Sequence, residues 1–165
     1  MRWSVGLSGQ KGRTSVAFVD EEDWPKVQSD RWFLSAQGYA VANMTRSDGT
    51  RYQTSMHRLL MPCPDGMEID HVDGDRLNNC RANLRVVNRS QNNANHIRRN
   101  DCGAPYKGVR HRANGRYSAR LRYQTTEHYL GTFDTAEAAA VAYDQAAVKL
   151  FGLHARPNFA SEVHK

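Results

Sequence analysis

The feature that most constrains the fold is a pair of strand-like segments that are separated by a turn. Residues 68–72 alternate like a half-buried strand, which places Asp70 and His71 on opposite faces. Residues 73–75, Asp-Gly-Asp, break this pattern, and residues 83–87 supply a second β-branched run. The two segments therefore predict neighbouring antiparallel strands.

A short helix is predicted directly after the second strand. Asn88 fits an N-cap and Gln91 stands in the capping-box position, so the helix begins near Arg89. Three of the residues from 92 to 95 are asparagines, which disfavour helix interiors. Residues that oppose local propensity often serve function instead.

We interpret the function of this segment as metal binding. Asp70 offers a carboxylate and Asn92 an amide oxygen, and two oxygen ligands leave room for water and phosphate around a magnesium-like ion. His71 titrates near neutrality and can take a proton from an attacking water. Zinc is not expected, because the chain has no HxxxH or HExxH helix and its three cysteines form no CxxC pair: Cys63, Cys80 and Cys102.

These motifs resemble the HNH (ββα-metal) family of homing endonucleases, which are common in phage genomes and mobile introns. The likeness covers roughly residues 55 to 98 and is carried by four segments: His57–Leu60, Asp70–Gly74, Asn78–Asn79 and Asn83–Arg85.

The resemblance implies a role for each site residue. His71 would be the general base, Asp70 and Asn92 would hold the metal, and Asn83 would brace the hairpin so that His71 faces the scissile phosphate. The family often has histidine where this chain has Asn92. An asparagine there is a known variant that suits oxygen-preferring ions, so Mg²⁺ or Mn²⁺ is the expected cofactor.

Simpler interpretations exist for the single residues. An Asp-His pair or an Asp-Gly turn alone is usually structural, and only their conjunction favours a nuclease site. Asn83 alone could equally satisfy loop backbone groups. His57 is interpreted as a helix-start histidine that bonds to the backbone, and it is left out of the catalytic set.

A second group of elements is predicted downstream. Two strands flank Asn114-Gly115, a strong hairpin signal, a third strand covers 127–133, and a helix with a stripe of small residues covers 136–150. On the middle strand an apolar face opposes a polar one. The apolar face holds Tyr117, Ala119, Leu121 and Tyr123, and the polar face holds Arg116, Ser118, Arg120 and Arg122.

This region, about residues 105 to 159, resembles the plant Apetala-two/ethylene-response-factor DNA-binding domain, in which a three-stranded sheet backed by a helix enters the major groove. Three segments carry the likeness: Tyr106–Arg110, Leu130–Ala139 and Tyr143-Asp144. The resemblance implies DNA contacts at matching positions, and Arg120 joins them from the arginine face: Lys107, Arg110, Arg112, Arg120, Arg122 and Tyr129. The chain departs from the plant pattern at Asn114, Arg120 and Glu127, so the plant sequence preference is not transferred.

The density of basic residues supports a nucleic-acid partner. A charge run is usually a solvated surface. Between Arg85 and Arg122, however, the chain has ten Lys or Arg and one acidic residue, Asp101. A strand face with so many arginines is expected to repel itself without an anionic partner, which favours contact with DNA or RNA.

The whole chain agrees with this interpretation. It has 165 residues, a net charge of +6, a pI near 9.5 and 39% hydrophobic residues, enough for two or three modest cores. Three scattered cysteines predict no disulfide framework and hence a reducing interior. No apolar run could span a bilayer and the first residues do not open a signal peptide. A cytoplasmic location in a bacterial or phage-infected cell is expected.

The first fifty-odd residues carry less information. They predict four short strands, a turn at Asp48-Gly49 and a short helix within 20–29. Trp24, Trp32 and Phe33 are assigned to the core, and residues 1–10 are expected to be frayed.

The resulting hypothesis is an α+β protein in four parts. A small β-rich segment (1–54) precedes a ββα-metal (HNH) nuclease core (55–99), a linker (100–104) and a three-stranded antiparallel sheet packed on one helix (105–160). The predicted function is a metal-dependent DNA endonuclease, monomeric and nicking because it has one active site, and aimed at double-stranded DNA by the sheet. The alternatives are a non-catalytic DNA-binding regulator that retains the nuclease fold and a structured-RNA nuclease.

Overall fold

The computed structural model describes residues 1–9, 14–95 and 104–159, and the chain divides into two compact units, Met1–Val87 and Asn88–Lys165. The α+β class is confirmed: small antiparallel sheets fill the first unit, and a three-stranded sheet packs on a long helix in the second. Among the described residues, no helix has the length and apolarity needed to cross a membrane.

The first unit contains three small sheets and two short helices. In chain order the elements are β1 (Arg2–Gly6), β2 (Val16–Asp20), α1 (Trp24–Val27), β3 (Phe33–Leu34), β4 (Ala40–Thr45), β5 (Arg51–Ser55), α2 (Met56–Leu60), β6 (Glu68–His71) and β7 (Leu84–Val87). The sheets are β1-β2, β3-β4-β5 and β6-β7, with antiparallel pairing throughout. Single 3-10 turns precede α1 and β7, at Glu21–Asp23 and Arg81–Asn83.

One apolar core joins the N-terminal strands to α2. Trp32 is 1% exposed and its indole donates to the Val27 carbonyl at 2.9 Å. Trp24 packs against this core and Phe33 is half-buried, so only Trp32 of the three predicted core aromatics is fully enclosed. The expectation of a frayed N-terminus is wrong for residues 2–6, which pair along the whole of β2 and bury Val5.

The second unit begins with α3 (Arg89–Asn95). It continues with β8 (Val109–His111), β9 (Tyr117–Tyr123), β10 (Thr126–Phe133) and α4 (Ala136–Phe151). Residues 104–159 are called the C-terminal module. Their sheet has the order β10-β9-β8 and all pairs are antiparallel. The predicted strands and helix are confirmed, with β10 starting at Thr126 rather than Glu127 and α4 ending at Phe151 rather than Leu150. The predicted linker falls largely outside the described residues, so its bounds stay a prediction.

Close packing of α4 on the sheet depends on small residues. Ala139 and Ala140 are fully buried, as the predicted stripe requires. Gly108 has a φ of 75°, and a Cβ there would lie 2.0 Å from the Tyr143 ring and 2.6 Å from the Arg120 carbonyl oxygen. Only glycine fits this position.

Candidate active site and nucleic-acid interface

The β6–β7 hairpin carries the predicted catalytic pair. In its register Asp70 lies opposite Arg85 and His71 opposite Leu84. Asp70 is 7% and His71 4% exposed, so the expected half-buried alternation is wrong here. The strand has only four residues, and its end is enclosed on both sides, by Arg85 at the carboxylate and by aromatic rings at the imidazole.

Arg85 is the cross-strand partner of Asp70. Its Nε and Nη2 donate to Asp70 Oδ2 at 3.0 and 2.8 Å. Both side chains are largely buried, at 8% exposure for Asp70 and 18% for Arg85. A buried carboxylate requires such compensation. Sequence reasoning missed this role, although Arg85 sits directly opposite Asp70 once the two strands are paired in the predicted hairpin.

His71 is held in a neutral state. Burial lowers the pKa of its imidazole, and this outweighs the opposing influence of Asn79 and of three nearby carboxylates, Asp73, Asp70 and Asp75. A neutral imidazole at physiological pH has a lone pair to accept a proton. The burial of His71 therefore suits a general base.

Asn79 fixes which nitrogen carries that lone pair. Its Nδ2 donates to the Leu77 carbonyl at 3.0 Å, which turns Oδ1 toward His71 Nε2 at 3.4 Å. Because an amide oxygen only accepts, the contact selects the tautomer protonated on Nε2 and leaves Nδ1 basic. Asn79 is 1% exposed and its main-chain N–H donates to the Phe18 carbonyl at 2.8 Å. The Asn78-Asn79 pair supports the HNH resemblance, but the sequence alone did not identify this role.

Asn83 braces the loop between the strands. Its Oδ1 accepts from the Asp73 N–H at 3.0 Å, and its Nδ2 donates to Asp73 Oδ1 at 2.9 Å and to the Asn78 carbonyl at 2.8 Å. Burial alone would raise the pKa of Asp73, but hydrogen bonds from Asn78, Asp75 and Asn83 bring it below its usual range. These hydrogen bonds therefore favour the ionised carboxylate of Asp73 in the loop that follows His71. The further role of Asn83 in aiming His71 stays a prediction.

The same loop is anchored to the N-terminal strands. Arg81 forms a two-pronged ion pair with Asp23, with distances of 2.7 and 2.8 Å, and its main-chain N–H donates to Asp20 at 2.7 Å. The Phe18 N–H donates to the Leu77 carbonyl at 2.8 Å. Within the described ranges, Asp20, Glu22 and Asp23 are the group of three acidic or metal-ligating residues with converging ligand atoms. Arg81 engages all three, so we assign this group an anchoring role.

His57 differs from its sequence interpretation. Its ring bonds to the Ser55 hydroxyl at 3.2 Å rather than to the backbone, and its Nδ1 is buried with no partner in the described part of the chain. It lies edge-on to His71, with ring centroids 5.1 Å apart. Burial, then His71 and Arg58, lower its pKa to about 3. His57 is therefore a neutral ring beside the candidate base.

Asn92 lies on α3, in the second unit. The predicted capping box is confirmed: Gln91 N–H donates to Asn88 Oδ1 and Asn88 N–H to Gln91 Oε1, both at 2.9 Å. The pairing of Asn92 with Asp70 at one ion stays a prediction. The donor set itself fits a hard cation, because a carboxylate and an amide oxygen are ligands that magnesium accepts while it retains water.

The sheet of the C-terminal module carries the predicted DNA contacts. Arg110, Arg112, Arg122 and Tyr129 are exposed. Arg120 instead pairs with Glu127 at 2.7 Å. Arg116 likewise pairs with Asp134 at 2.9 Å. The expected mutual repulsion of the arginines is therefore wrong for these two, because the third strand and the turn after it supply acidic partners.

Lys107 is placed differently from the exposed arginines. Its Nζ donates to the main-chain carbonyl of Ala94 on α3. Burial, together with the nearby Arg156, lowers its pKa to about 8 despite the opposing charge of Asp144. The amine is thus engaged inside the second unit.

Comparison with known proteins agrees with both regions. Residues 62–94 match the model of an HNH endonuclease family. A protein named an uncharacterized HNH endonuclease, from Acanthamoeba polyphaga mimivirus, is 31% identical over 154 residues, which covers 90% of this chain and 77% of the viral protein. The chain belongs to the HNH endonuclease family.

This HNH chain also contains a region like the plant ethylene-response factors. It is 56% identical over 59 residues to the ethylene-responsive transcription factor LEP of Arabidopsis thaliana, covering 34% of this chain and 28% of the plant protein. For FZP of Oryza sativa subsp. japonica, the identity is 55% over 56 residues, covering 33% of this chain and 18% of that protein. The chain thus spans less than a third of each factor.

One solved structure is also similar in part. It is titled "DNA binding and cleavage by the HNH homing endonuclease I-HmuI" and shares 27% identity with the HNH chain. The superposition covers 42% of this chain and 44% of that one, with a TM-score of 0.36. We draw no further conclusion from that partial overlap.

Proposed function

We propose that this HNH protein is a metal-dependent endonuclease that hydrolyses phosphodiester bonds in double-stranded DNA. The observation that carries the proposal is the buried, neutral imidazole of His71 next to the Asp70 carboxylate, with Asn79 directing its basic Nδ1. A base with this geometry and a hard-cation ligand beside it are the parts that phosphodiester hydrolysis needs.

In the proposed reaction, Nδ1 of His71 takes a proton from a water molecule. The water oxygen forms a bond to phosphorus as the bond to the leaving oxygen breaks, and the leaving oxygen takes a proton from solvent. Asp70 and Asn92 would hold one Mg²⁺ or Mn²⁺ ion, which when bound stabilises the negative charge that develops on the phosphate and the leaving oxygen. Arg85 orients the Asp70 carboxylate through its ion pair.

The exposed arginines of the C-terminal module would bind the DNA and determine which phosphodiester bond is cleaved. A sheet face with Arg110, Arg112 and Arg122 can contact phosphates and read guanine edges. We assign the nuclease core to 55–99, the linker to 100–104 and the DNA-binding domain to 105–160. A single site per chain leads us to propose nicking by a monomer.

The test is incubation of supercoiled plasmid with the protein and Mg²⁺, beside His71→Ala. We expect nicking by the native chain, and a loss of at least about 100-fold in the variant, the usual contribution of a general base. Gel-shift affinity should be unchanged. His128→Ala, a half-buried histidine on β10, is the matched control and should cleave normally.

Two results would contradict the proposal. Binding without cleavage by either protein supports the non-catalytic regulator. A strong preference for structured RNA over plasmid in the same assay supports the RNA nuclease.

A further inference from the structure

The helix that carries Asn92 has little intrinsic stability. α3 spans seven residues, and three of them are asparagines. Isolated helices of this length do not persist in water, so α3 depends on its packing. The capping box closes its N-terminal end.

The C-terminal module supplies the remaining support for α3. Ala94 is 5% exposed and packs in one apolar cluster with the buried Leu121, Tyr143, Ala147 and Phe151. The Gln124 N–H, at the turn between β9 and β10, donates to the Ser90 hydroxyl at 2.8 Å. Both ends of this short helix therefore contact the module.

Lys107 provides the polar contact at the far end of α3. Its Nζ donates to the Ala94 carbonyl, one residue before the last described residue of α3. The backbone of Lys107 is itself fixed, because its N–H donates to Asn158 Oδ1 at 2.5 Å and its carbonyl accepts from Asn158 Nδ2 at 3.1 Å. Asn158 is held in turn by Asp144 of α4. A continuous set of bonds thus runs from α4 to the last described turn of α3.

The geometry of the helix gives these contacts a consequence for Asn92. Residues two apart on an α-helix are separated by roughly 200° around its axis. The helix face that carries Asn92 is therefore nearly opposite the face that Ala94 buries against the module. Packing of Ala94 sets the rotation of α3, and the rotation sets where Asn92 projects.

We infer that the C-terminal module positions the metal-bearing helix and that Lys107 is the positioning residue. This inference rests on the proposed function for the identity of Asn92 as a metal ligand. It gives Lys107 a role different from the DNA contact implied by the plant resemblance. The helix α3 then belongs to the nuclease site and is also packed against the C-terminal module. The affinity of the site for the ion therefore depends on contacts made by this DNA-binding module.

The main experiment measures Mn²⁺ binding without turnover. In a His71→Ala background, free Mn²⁺ is titrated by electron paramagnetic resonance in the presence of saturating plasmid. Lys107→Met removes the donor at nearly constant size, Lys107→Arg restores a donor, and Lys149→Met makes the same change at an exposed position on α4. Asp70→Asn reports on the ion site itself.

We expect Lys107→Met to weaken Mn²⁺ binding about 10-fold or more, the usual effect of losing a group that orients a ligand. Lys107→Arg should recover most of the affinity and Lys149→Met should match the parent. DNA affinity without metal should stay within about 3-fold. Loss of DNA affinity with unchanged Mn²⁺ binding would make Lys107 a DNA contact and overturn the inference.

Hydrogen exchange separates this inference from the proposed function. Lys107→Met should speed amide exchange in α3 while α4 stays protected, and Ser90→Ala should do so to a smaller extent. Unchanged exchange in α3 overturns the positioning role whether or not metal binds. Mn²⁺ binding that does not respond to Asp70→Asn would instead overturn the metal site of the proposed function.

Discussion

The hairpin site of the first unit and the sheet of the C-terminal module are stabilised in different ways. The hairpin site buries ionisable and amide groups: Asp70, His71, Asn79 and Asn83 are each 9% exposed or less. The C-terminal module buries mainly apolar and small side chains, engages Lys107 with the Ala94 carbonyl, and exposes Arg110, Arg112 and Arg122. Polar groups in the first region must therefore find partners within the protein, whereas an exposed arginine in solvent needs none.

The largest difference should appear when one partner of a buried pair is removed. Asp70→Ala leaves Arg85 buried without its anion and should lower the free energy of unfolding by about 3 kcal/mol. The double variant with Arg85→Ala should cost clearly less than the sum of the two single variants, as measured by urea unfolding. In the module, breaking the Arg116–Asp134 pair should cost under about 1 kcal/mol, because both side chains are substantially exposed. Equal losses in the free energy of unfolding for the two pairs would show that the two regions are not stabilised differently.

A second prediction concerns the close packing of Gly108 against α4 in the C-terminal module. Gly108→Ala introduces a Cβ 2.0 Å from Tyr143 and should destabilise the protein by about 3 kcal/mol or more. Gly115→Ala is the matched control, since its φ of 79° is nearly the same and nothing lies within 4 Å of the added atom. It should cost only about 1 kcal/mol. Similar melting temperatures for the two variants would show that steric contact with α4 is unimportant.

Acid should destabilise the hairpin site before it affects the module. His57 has its pKa lowered to about 3, so below about pH 6.5 the unfolded chain takes up a proton that the folded chain does not. The free energy of unfolding should therefore fall as pH decreases from about 6.5, and most clearly down to about pH 5, where carboxylates do not yet titrate. His57→Phe keeps an aromatic ring and should reduce this dependence, and the part that remains comes from His71, whose pKa burial also lowers. An unchanged slope would mean that His57 is not held neutral.

A change in the tautomer of His71 is expected to have a smaller effect, which is on the cleavage rate constant. Asn79→Ala removes the acceptor for Nε2–H and should lower the cleavage rate constant by about 10- to 100-fold while plasmid affinity stays constant. ¹⁵N chemical shifts of the imidazole should show a mixture of tautomers in the variant. A single Nε2–H tautomer with normal cleavage would exclude the proposed role of Asn79.

The smallest effects are expected on the exposed sheet. Arg112→Ala should reduce the slope of log affinity against log salt by about one unit if this guanidinium contacts a phosphate. Arg116→Ala should change the slope less, because Asp134 already neutralises that side chain. Equal slopes for both variants and the native chain would argue that DNA binds elsewhere.

The two regions also differ in how far the sequence predicts them. In the C-terminal module, apolar alternation, an Asn-Gly turn and a stripe of alanines are local patterns. They predicted β9, β10 and α4 with nearly the observed bounds, whereas the first strand, expected over 106–112, is only Val109–His111. At the hairpin site the sequence predicted the paired strands and the capping box. It did not predict Arg85 beside Asp70 or Asn79 beside His71, because these contacts depend on register and on loop packing.

The failed expectations have the same origin. Residues 1–10 were expected to be frayed because they form a chain terminus, but pairing with β2 supplies backbone bonds to residues 2–6. Arg116 and Arg120 appeared unpaired because their acidic partners, Asp134 and Glu127, come from a later turn and strand. Local pattern predicts elements well, whereas contacts between elements require the folded chain.

The anchoring of the hairpin loop by Asp23 and Phe18 limits how this nuclease can be engineered. A fragment that starts at the predicted core boundary would discard the acidic partners of Arg81 and the strand that holds Asn79. A portable form of the HNH hairpin must therefore include β2 and the turn that follows it, and a fusion to a foreign domain must carry these early elements along.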